Sequence, residues 1–510
     1  MYAKIMYKDI MNKIKCITSA EAFRKYTDGE TFAKITNYDT LSDMWRATLE
    51  QYATLPALET GDLCLTYNDL EKRAAEIRAA INLQVSNDKT RIALLAENSV
   101  EFVSAFIAIV TSGHSALILP TALADASIKG CCLKYGASAI LYSQSLESKT
   151  VDLPDSLPTI NIESAVNESD PIKECNRNDE CVLMFTSGTE GISKVAILSH
   201  EAVMQGTVNG CYGYNDVFEQ KYILLLPMFH VFGLIRNLLT GLYTGSHLYI
   251  CHSNKDLFRD IASFKPTMFV TVPAIVELGL NLSKRFNRNM FGADMKTIIS
   301  GAAPVAPYLV NECAKMGINL CPGYGLTESA NLVSGNPESL SKPESVGLPF
   351  PNQELRIVNG ELWFRGANRM IGYADADSTD SFVDDWFCTG DLAHFDEDGF
   401  LYITGRCKEI IVLSNGENIS PAEIEAKFNK LDFVQDSQVY EDINSSGEHI
   451  LVLEIVLRMI DSADDNNTYM TQLQEVNHTL PSYKRINHVI IRDTDFERSP
   501  SMKIIRYKKC

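Results

Sequence analysis

Between about residue 90 and residue 325, short apolar runs alternate with helical periods, which predicts an α/β chain built on parallel, helix-covered sheets. Two further observations complete the expected architecture. A length of 510 residues exceeds what one hydrophobic core fills, so two or more domains are expected. After Val346 the texture changes to short runs punctuated by Gly and Asn, the pattern of a small antiparallel β unit, and beyond Lys408 the α/β alternation returns. No repeat, low-complexity tract or Gly/Ser linker marks a boundary, so composition alone does not place one.

Taken in chain order, Arg91–Ala96 reads as a strand and Val100–Val110 as a mostly buried helix. The runs 115–119, 139–142, 181–185, 222–226, 247–251, 268–272, 297–299 and 318–321 read as strands with amphipathic segments between most of them. In the β unit the strands are expected at 354–358, 360–365 and 399–404. Further on they fall at 410–413, 434–440, 449–457 and 487–492. The helix beginning at Ser420 has Pro421 at its first position and Glu423 placed to complete a capping box.

The charge balance is 46 Lys and Arg against 65 Asp and Glu, a net charge of −19, which argues against broad nucleic-acid or anionic-membrane binding. The 13 cysteines include an adjacent pair, Cys131 and Cys132, but no CxxC, so neither a disulfide scaffold nor a paired-cysteine zinc site is expected. They read as small buried hydrophobes in a reducing compartment. The N-terminus alternates lysines with apolar residues and lacks a signal-peptide core. The most apolar stretch, 102–120, is interrupted by Ser104, Ser112, Gly113, His114 and Ser115 and suits a buried helix followed by a strand better than a membrane span. A cytoplasmic protein is expected.

The chemistry-bearing motifs begin with Phe185-Thr186-Ser187-Gly188-Thr189-Glu190-Gly191-Ile192-Ser193-Lys194. A strand leads into two glycines, several hydroxyls and a lysine, and an amphipathic segment follows. Glycines let backbone N–H groups approach phosphate oxygens, hydroxyls donate further bonds, and Lys194 supplies charge. The spacing of Gly188 and Gly191 to Lys194 is not that of a Walker loop. Alone, the run equally fits a Gly/Ser strand-to-helix turn.

In company it resembles the phosphate loop of the acyl-adenylate-forming superfamily, the group of acyl-CoA synthetases, luciferases and peptide-synthetase adenylation domains. Glu190 stands where that pattern has Thr, Ser193 where it has Pro and Val195 where it has Gly. The resemblance implies that Thr186, Ser187, Gly188, Thr189, Gly191 and Lys194 cradle ATP phosphates. Gly323-Tyr324-Gly325-Leu326-Thr327-Glu328-Ser329 is similar to the family's next signature. It implies that Tyr324 and Gly325 border adenine, Thr327 contacts phosphate and Glu328 ligates Mg²⁺, a cation that prefers oxygen donors. Ser300-Gly301-Ala302-Ala303-Pro304 resembles the segment lining the adenine and acyl sites, with Gly301 and Ala302 letting ligands approach the backbone. Tight helix–strand packing would demand the same small residues.

Thr389-Gly390-Asp391 and Gly405-Arg406 follow in family order. A carboxylate is a good acceptor for the ribose diol, the role implied for Asp391, with Arg406 holding ribose and phosphate. Lys408 stands at the family's hinge position, opening a run to Asn418 in which Gly416 belongs to the thiol-site motif. By this resemblance residues 1–405 form the large domain and 406–510 a small mobile lid. Arg498–Arg506 resembles the closing motif, with Lys503 as its catalytic lysine and Met502 in place of the usual Gly. A cation on a closing lid can bridge the acid carboxylate and the α-phosphate, where negative charge gathers.

His230, within Pro227–Gly233, falls beside the acyl carboxylate by the same resemblance; an ordinary core histidine is the alternative. No aspartate lies between Asp216 and Asp256 to hold a substrate ammonium, which points to the acyl or aryl branch. The expected reaction activates a fatty or aryl carboxylic acid to acyl-AMP with ATP and Mg²⁺, releases pyrophosphate, and forms a thioester with release of AMP. The chain ends four residues after Arg506. The thiol is therefore expected from coenzyme A or from the phosphopantetheine of a separate acyl-carrier protein.

Overall fold

The computed structural model describes residues 20–61, 63–85, 89–164, 168–186, 194–251, 253–375, 381–412, 418–443, 449–458, 466–498, 504 and 506. It is a mixed α/β protein with two large sheets, as the alternation predicts. The first has nine strands. At its centre Asn319–Tyr324, Thr297–Ser300, Met268–Thr271, Lys221–Leu224 and His247–Ile250 run parallel to one another. One edge is the hairpin Pro56–Thr60 and Leu63–Thr66. The other continues through two short antiparallel strands, Ser334–Gly335 and Leu348–Pro349.

The second sheet has seven strands and centres on Arg91–Leu95, with Ser115–Ile118 and Ala137–Tyr142 parallel to it on either side. Alternation along its strands divides the packing. Ile92 and Leu94 join the main core shared with the nine-stranded sheet, while Ala93 and Leu95 face a smaller apolar cluster on the other side. The helix Val100–Val110 lies in the main core, capped at its start by Ser99, whose Oγ accepts from Phe102 N. Every residue of it except Glu101 is buried, which accounts for its unbroken apolar run.

The expected antiparallel unit forms from Gln353–Val358, Glu361–Gly366, Phe382–Val383, Trp386–Phe395 and Leu401–Arg406. Further along, Val434–Ile443, His449–Leu457 and His488–Arg492 make a three-stranded sheet. Together with the helices Pro421–Phe428 and Asn466–His478, it closes on a hydrophobic cluster of its own.

Two local expectations are corrected. The segment after the glycine-rich run is not amphipathic. Val195–Ser199 is a fully buried strand antiparallel to Glu180–Phe185, so the run joins two strands of a hairpin. A helix, His200–Asn209, starts only after it, with Ser199 as its cap. At Ser420 no capping box forms. Its hydroxyl donates to Thr404 O instead, and Glu423 accepts from Lys484. The cysteines behave as expected. Among the described residues all are free thiols, and Cys132, Cys181, Cys211, Cys251, Cys313 and Cys321 are buried. No helix of the described residues is long and apolar enough to cross a membrane.

Candidate active site

The candidate residues collect where the parallel strands of the nine-stranded sheet end, the edge at which open α/β sheets take up ligands. Thr297–Ser300 leads directly into Gly301, and Ser300 pairs in register with Pro322, so Gly301 lies beside Gly323. A Cβ on Gly301 would meet Gly323 O at 3.2 Å and the Phe232 ring at 3.6 Å. Ala302 follows with φ 65°, a left-handed conformation that alanine adopts at a cost. At Gly325 a side chain is excluded outright, because a Cβ would fall 1.1 Å from Asn331 O.

Tyr324, the last residue of its strand, donates from its hydroxyl to Asp391 Oδ2 at 2.5 Å. Arg406 Nε lies 2.8 Å from the other oxygen, Asp391 Oδ1. The sheet enforces this triad, because Asp391 and Arg406 are cross-strand partners. Asp391 is buried, and its backbone N–H donates to Thr389 Oγ1. Burial, with Asp391 second, holds the Tyr324 phenol well above its ordinary range. Burial opposes the Arg406 charge, but Asp391 and Tyr324 outweigh it and raise its pKa. A carboxylate with one donor on each oxygen is thus fixed in place before any nucleotide arrives.

Glu328 sits on the short helix Thr327–Ser329 that follows Tyr324. Its Oε1 accepts from the Tyr373 hydroxyl at 2.7 Å, and the Lys194 ammonium lies over the Tyr373 ring, 4.7 Å from its centre. Glu328 is also close enough to Arg406 to raise its pKa. Lys194 itself is brought in by the hairpin, whose mouth is closed by Thr186 N donating to Lys194 O at 2.8 Å. The structure therefore brings Thr186, Lys194, Thr327, Glu328, Tyr324, Asp391 and Arg406 into one connected constellation.

His230 precedes the π-helix Phe232–Leu239, which carries Phe232 against Gly301. Its ring is half-buried beside Phe229 at 4.5 Å between centres. Asn98 staples this segment, accepting from Met228 N at 2.8 Å and donating to Leu226 O at 2.9 Å. Lys408 lies in the turn Cys407–Glu409, immediately after Arg406. Arg506 is no solvated tail residue: its two Nη atoms reach the Glu425 carboxylate at 2.8 and 2.6 Å. Ser187, Gly188, Thr189, Gly191, Gly416 and Lys503 lie outside the described residues.

Sequence reasoning missed Tyr373 and Asn98. Tyr373 lies about 180 residues from Lys194, and only the pairing of Gly372–Tyr373 with Val195–Ser199 joins them. No spacing in the sequence signals that.

Glycine-lined strand ends, a buried carboxylate held by Tyr324 and Arg406, and a C-terminal unit with its own core fit an enzyme of the adenylate-forming class. The chain belongs to the AMP-binding enzyme family, which matches residues 45–374, and the C-terminal domain of AMP-binding enzymes matches residues 408–509. A long-chain-fatty-acid–CoA ligase of Escherichia coli O157:H7 is 27% identical over 92% of this chain and 94% of its own length. A 4-coumarate–CoA ligase-like protein of Arabidopsis thaliana is 30% identical over 65% of this chain. The chain spans 62% of that relative's length and 63% of a probable CoA ligase from Humulus lupulus. Among solved structures, an anthranilate CoA ligase in complex with anthranoyl-AMP superposes with a TM-score of 0.81 at 20% identity, covering 93% of this chain and 97% of the other. An o-succinylbenzoate CoA synthetase of Bacillus subtilis in complex with its acyl-adenylate gives 0.75 at 25% identity, covering 91% and 96%.

Proposed function

We propose that this protein is an ATP-dependent acid–thiol ligase that activates a carboxylic acid as its acyl-adenylate and transfers the acyl group to coenzyme A. The observation that carries the reading is the Tyr324–Asp391–Arg406 triad, set beside the Gly301–Gly323 strand ends. Asp391 accepts from the ribose hydroxyls, Tyr324 and Gly325 border the base with Gly301 and Ala302, and Arg406 holds ribose and phosphate. The glycine-rich run 186–194, ending in Lys194, takes the β- and γ-phosphates. Its glycines remove side chains from the path of the backbone N–H groups. Thr327 donates to the phosphates at the reacting end.

Glu328 is the residue that would hold Mg²⁺. It fits a hard cation: it offers carboxylate oxygen, and Tyr373 occupies one oxygen while fixing the side chain. When bound, the ion neutralises phosphate charge. His230 flanks the acid carboxylate. In this reading Lys503 bridges that carboxylate and the α-phosphate when the lid 406–510 closes on the large domain 1–405, with Lys408 as the hinge. The acid's carboxylate oxygen forms a bond to the α-phosphorus as the bond to the β-bridging oxygen breaks, and pyrophosphate leaves. The thiol then loses its proton and its sulfur attacks the acyl carbon, and AMP leaves with both electrons of the broken C–O bond. No protein nucleophile is required, since the mixed anhydride is already activated.

Relatives that are named CoA ligases and act on fatty and aryl acids support the acid class. The absence of an aspartate between Asp216 and Asp256 agrees with an uncharged acyl α-carbon. The test measures AMP and pyrophosphate release with ATP and Mg²⁺ across short to long fatty acids, aryl acids and amino acids, with and without coenzyme A. The expected result is acid-dependent AMP release that rises with coenzyme A. Pyrophosphate release indifferent to coenzyme A would move the acceptor to a separate carrier protein. Amino-acid-dependent release alone would overturn the acyl reading.

A further inference from the structure

Away from the nucleotide site, one edge of the nine-stranded sheet gathers three side chains of different chemistry. Glu59 pairs in register with Cys64 across the hairpin Pro56–Thr60 and Leu63–Thr66, and on its other side with Tyr249. His247, two residues before Tyr249, points to the same face by the strand period. The alternate residues Leu58, Leu65 and Leu248 face the main core instead. The sheet therefore sets a carboxylate, a thiol and an imidazole side by side from three adjacent strands.

Their ligating atoms all lie within 4.8 Å of one another. His247 Nε2 is 3.0 Å from Glu59 Oε2 and 3.8 Å from Cys64 Sγ. A tetrahedral zinc ion, with bonds of about 2.3 Å to sulfur and about 2.0 Å to nitrogen and oxygen, holds such pairs about 3.3 Å and about 3.5 Å apart. Both separations are within about 0.3 Å of what coordination needs, a change that side-chain rotation supplies. Phe264 packs edge-on against the His247 ring, 4.9 Å between centres, and holds it in place. Lys221, the register partner of His247, is a nearby cation, and its ammonium is taken up by Phe264 O and the face of the Phe264 ring. Glu59 and His247 are half-buried, and Cys64 alone among the described cysteines is exposed.

We propose that Glu59, Cys64 and His247 form a zinc site that clips the edge hairpin to the sheet, with water as the fourth ligand. Zn²⁺ takes sulfur, nitrogen and oxygen together, whereas Mg²⁺ prefers oxygen throughout and does not suit this donor set. Binding releases the Cys64 thiol proton to solvent, and His247 binds through the Nε2 lone pair with its ring proton on Nδ1. Leu63–Thr66 is the outermost strand of the sheet and is short, so it gains most from a pin. His247 opens its strand, while Gly301 lies past the end of its own, three strands away and about 14 Å across the sheet. The ion therefore acts on the fold and stands outside the adenylate site.

In the experiment the full chain, stripped with EDTA, is titrated with Co²⁺, which takes the same ligands and reports thiolate coordination as a near-ultraviolet charge-transfer band. One equivalent of Co²⁺ is expected to bring up the band, and Zn²⁺ is expected to displace it while a large excess of Mg²⁺ does not. Alkylation of Cys64 by iodoacetamide, followed on its peptide by mass spectrometry, should slow at least about tenfold with one equivalent of Zn²⁺. Cys64→Ser should lose the band, and His247→Gln and Glu59→Gln should each weaken binding at least about tenfold. Should a variant fail to fold, the wild-type band and the protection of Cys64 decide the question. A band retained in Cys64→Ser, or alkylation of Cys64 that Zn²⁺ leaves unchanged, overturns the site and leaves the three side chains a hydrogen-bonded clasp. Displacement of Co²⁺ by Mg²⁺ overturns the choice of metal. None of these readouts uses acid, ATP or coenzyme A, so they stand apart from the ligase reading.

Discussion

Replacing Asp391 by Asn changes the charge of the proposed ribose site while keeping its shape. In the wild type both carboxylate oxygens accept, one from Arg406 Nε at 2.8 Å and one from the Tyr324 hydroxyl at 2.5 Å. An asparagine has one acceptor oxygen and one NH₂. Arg406 can only donate, so the oxygen must face it, and the NH₂ must face Tyr324, whose hydroxyl can turn and accept. Shape and a bonded pair survive, but each charge-assisted bond becomes a neutral one. That difference is about 1 kcal/mol per bond. A folding loss of about 1–2 kcal/mol follows for the two inner bonds, read as a melting shift of a few degrees. The same arithmetic applies to two ribose hydroxyls, so kcat/KM for ATP in pyrophosphate exchange should fall about fivefold to thirtyfold.

The control is 2′,3′-dideoxy-ATP, which has no hydroxyls to offer. Wild type should lose on this analogue what Asp391→Asn loses on ATP, and the variant should lose little more when given it. If the variant instead penalises ATP and dideoxy-ATP equally, Asp391 acts only as scaffold for Arg406 and Tyr324, and the ribose assignment is wrong.

Four further outcomes are expected. Glu328→Gln keeps its bond to Tyr373 but loses a charge, so the Mg²⁺ concentration for half-maximal exchange should rise several-fold; an unchanged Mg²⁺ titration places the metal elsewhere. Lys503→Ala should lose adenylate formation while retaining most thioester formation from supplied acyl-AMP, and equal loss of both half-reactions refutes its role. In Lys408→Pro the restricted hinge should uncouple the two half-reactions, and normal rates in both would remove the hinge from residue 408. Burial pushes the Asp436 carboxyl up to about 6, with Glu277 and Asp495 adding to the rise and Arg498 opposing it. The folded state therefore holds a proton that the unfolded state has released, and stability should fall as pH rises from about 4 to about 6. Melting curves of Asp436→Asn should lack that slope, and a slope that persists assigns it to another group.

Much of the fold is legible in the sequence because the central strands are buried on both faces and so read as unbroken apolar runs. Arg91–Leu95 and His247–Ile250 show this, and Ser99 announces the helix Val100–Val110 by its cap. The same property hid Val195–Ser199: five buried residues carry no period, and the glycine-rich run before them suggested a helix. Ser420 misled because a hydroxyl takes whichever acceptor is nearest, here Thr404 O from the neighbouring strand.

Within the site, residues inside contiguous motifs could be found one at a time, and the Asp391–Arg406 pairing follows from their strands. Tyr373 and Asn98 could not. Tyr373 owes its position to a strand pairing and Asn98 to hydrogen bonds across more than a hundred residues, and each stands alone in its own stretch of sequence.

In the proposed reaction the acid's own oxygen attacks the α-phosphate of ATP. Supplying an acid labelled with ¹⁸O in its carboxylate, with ATP, Mg²⁺ and coenzyme A, and weighing the released AMP tests it directly. The expected result is one ¹⁸O per AMP and none in pyrophosphate. Unlabelled AMP, with the departing ¹⁸O in orthophosphate or pyrophosphate, would contradict it.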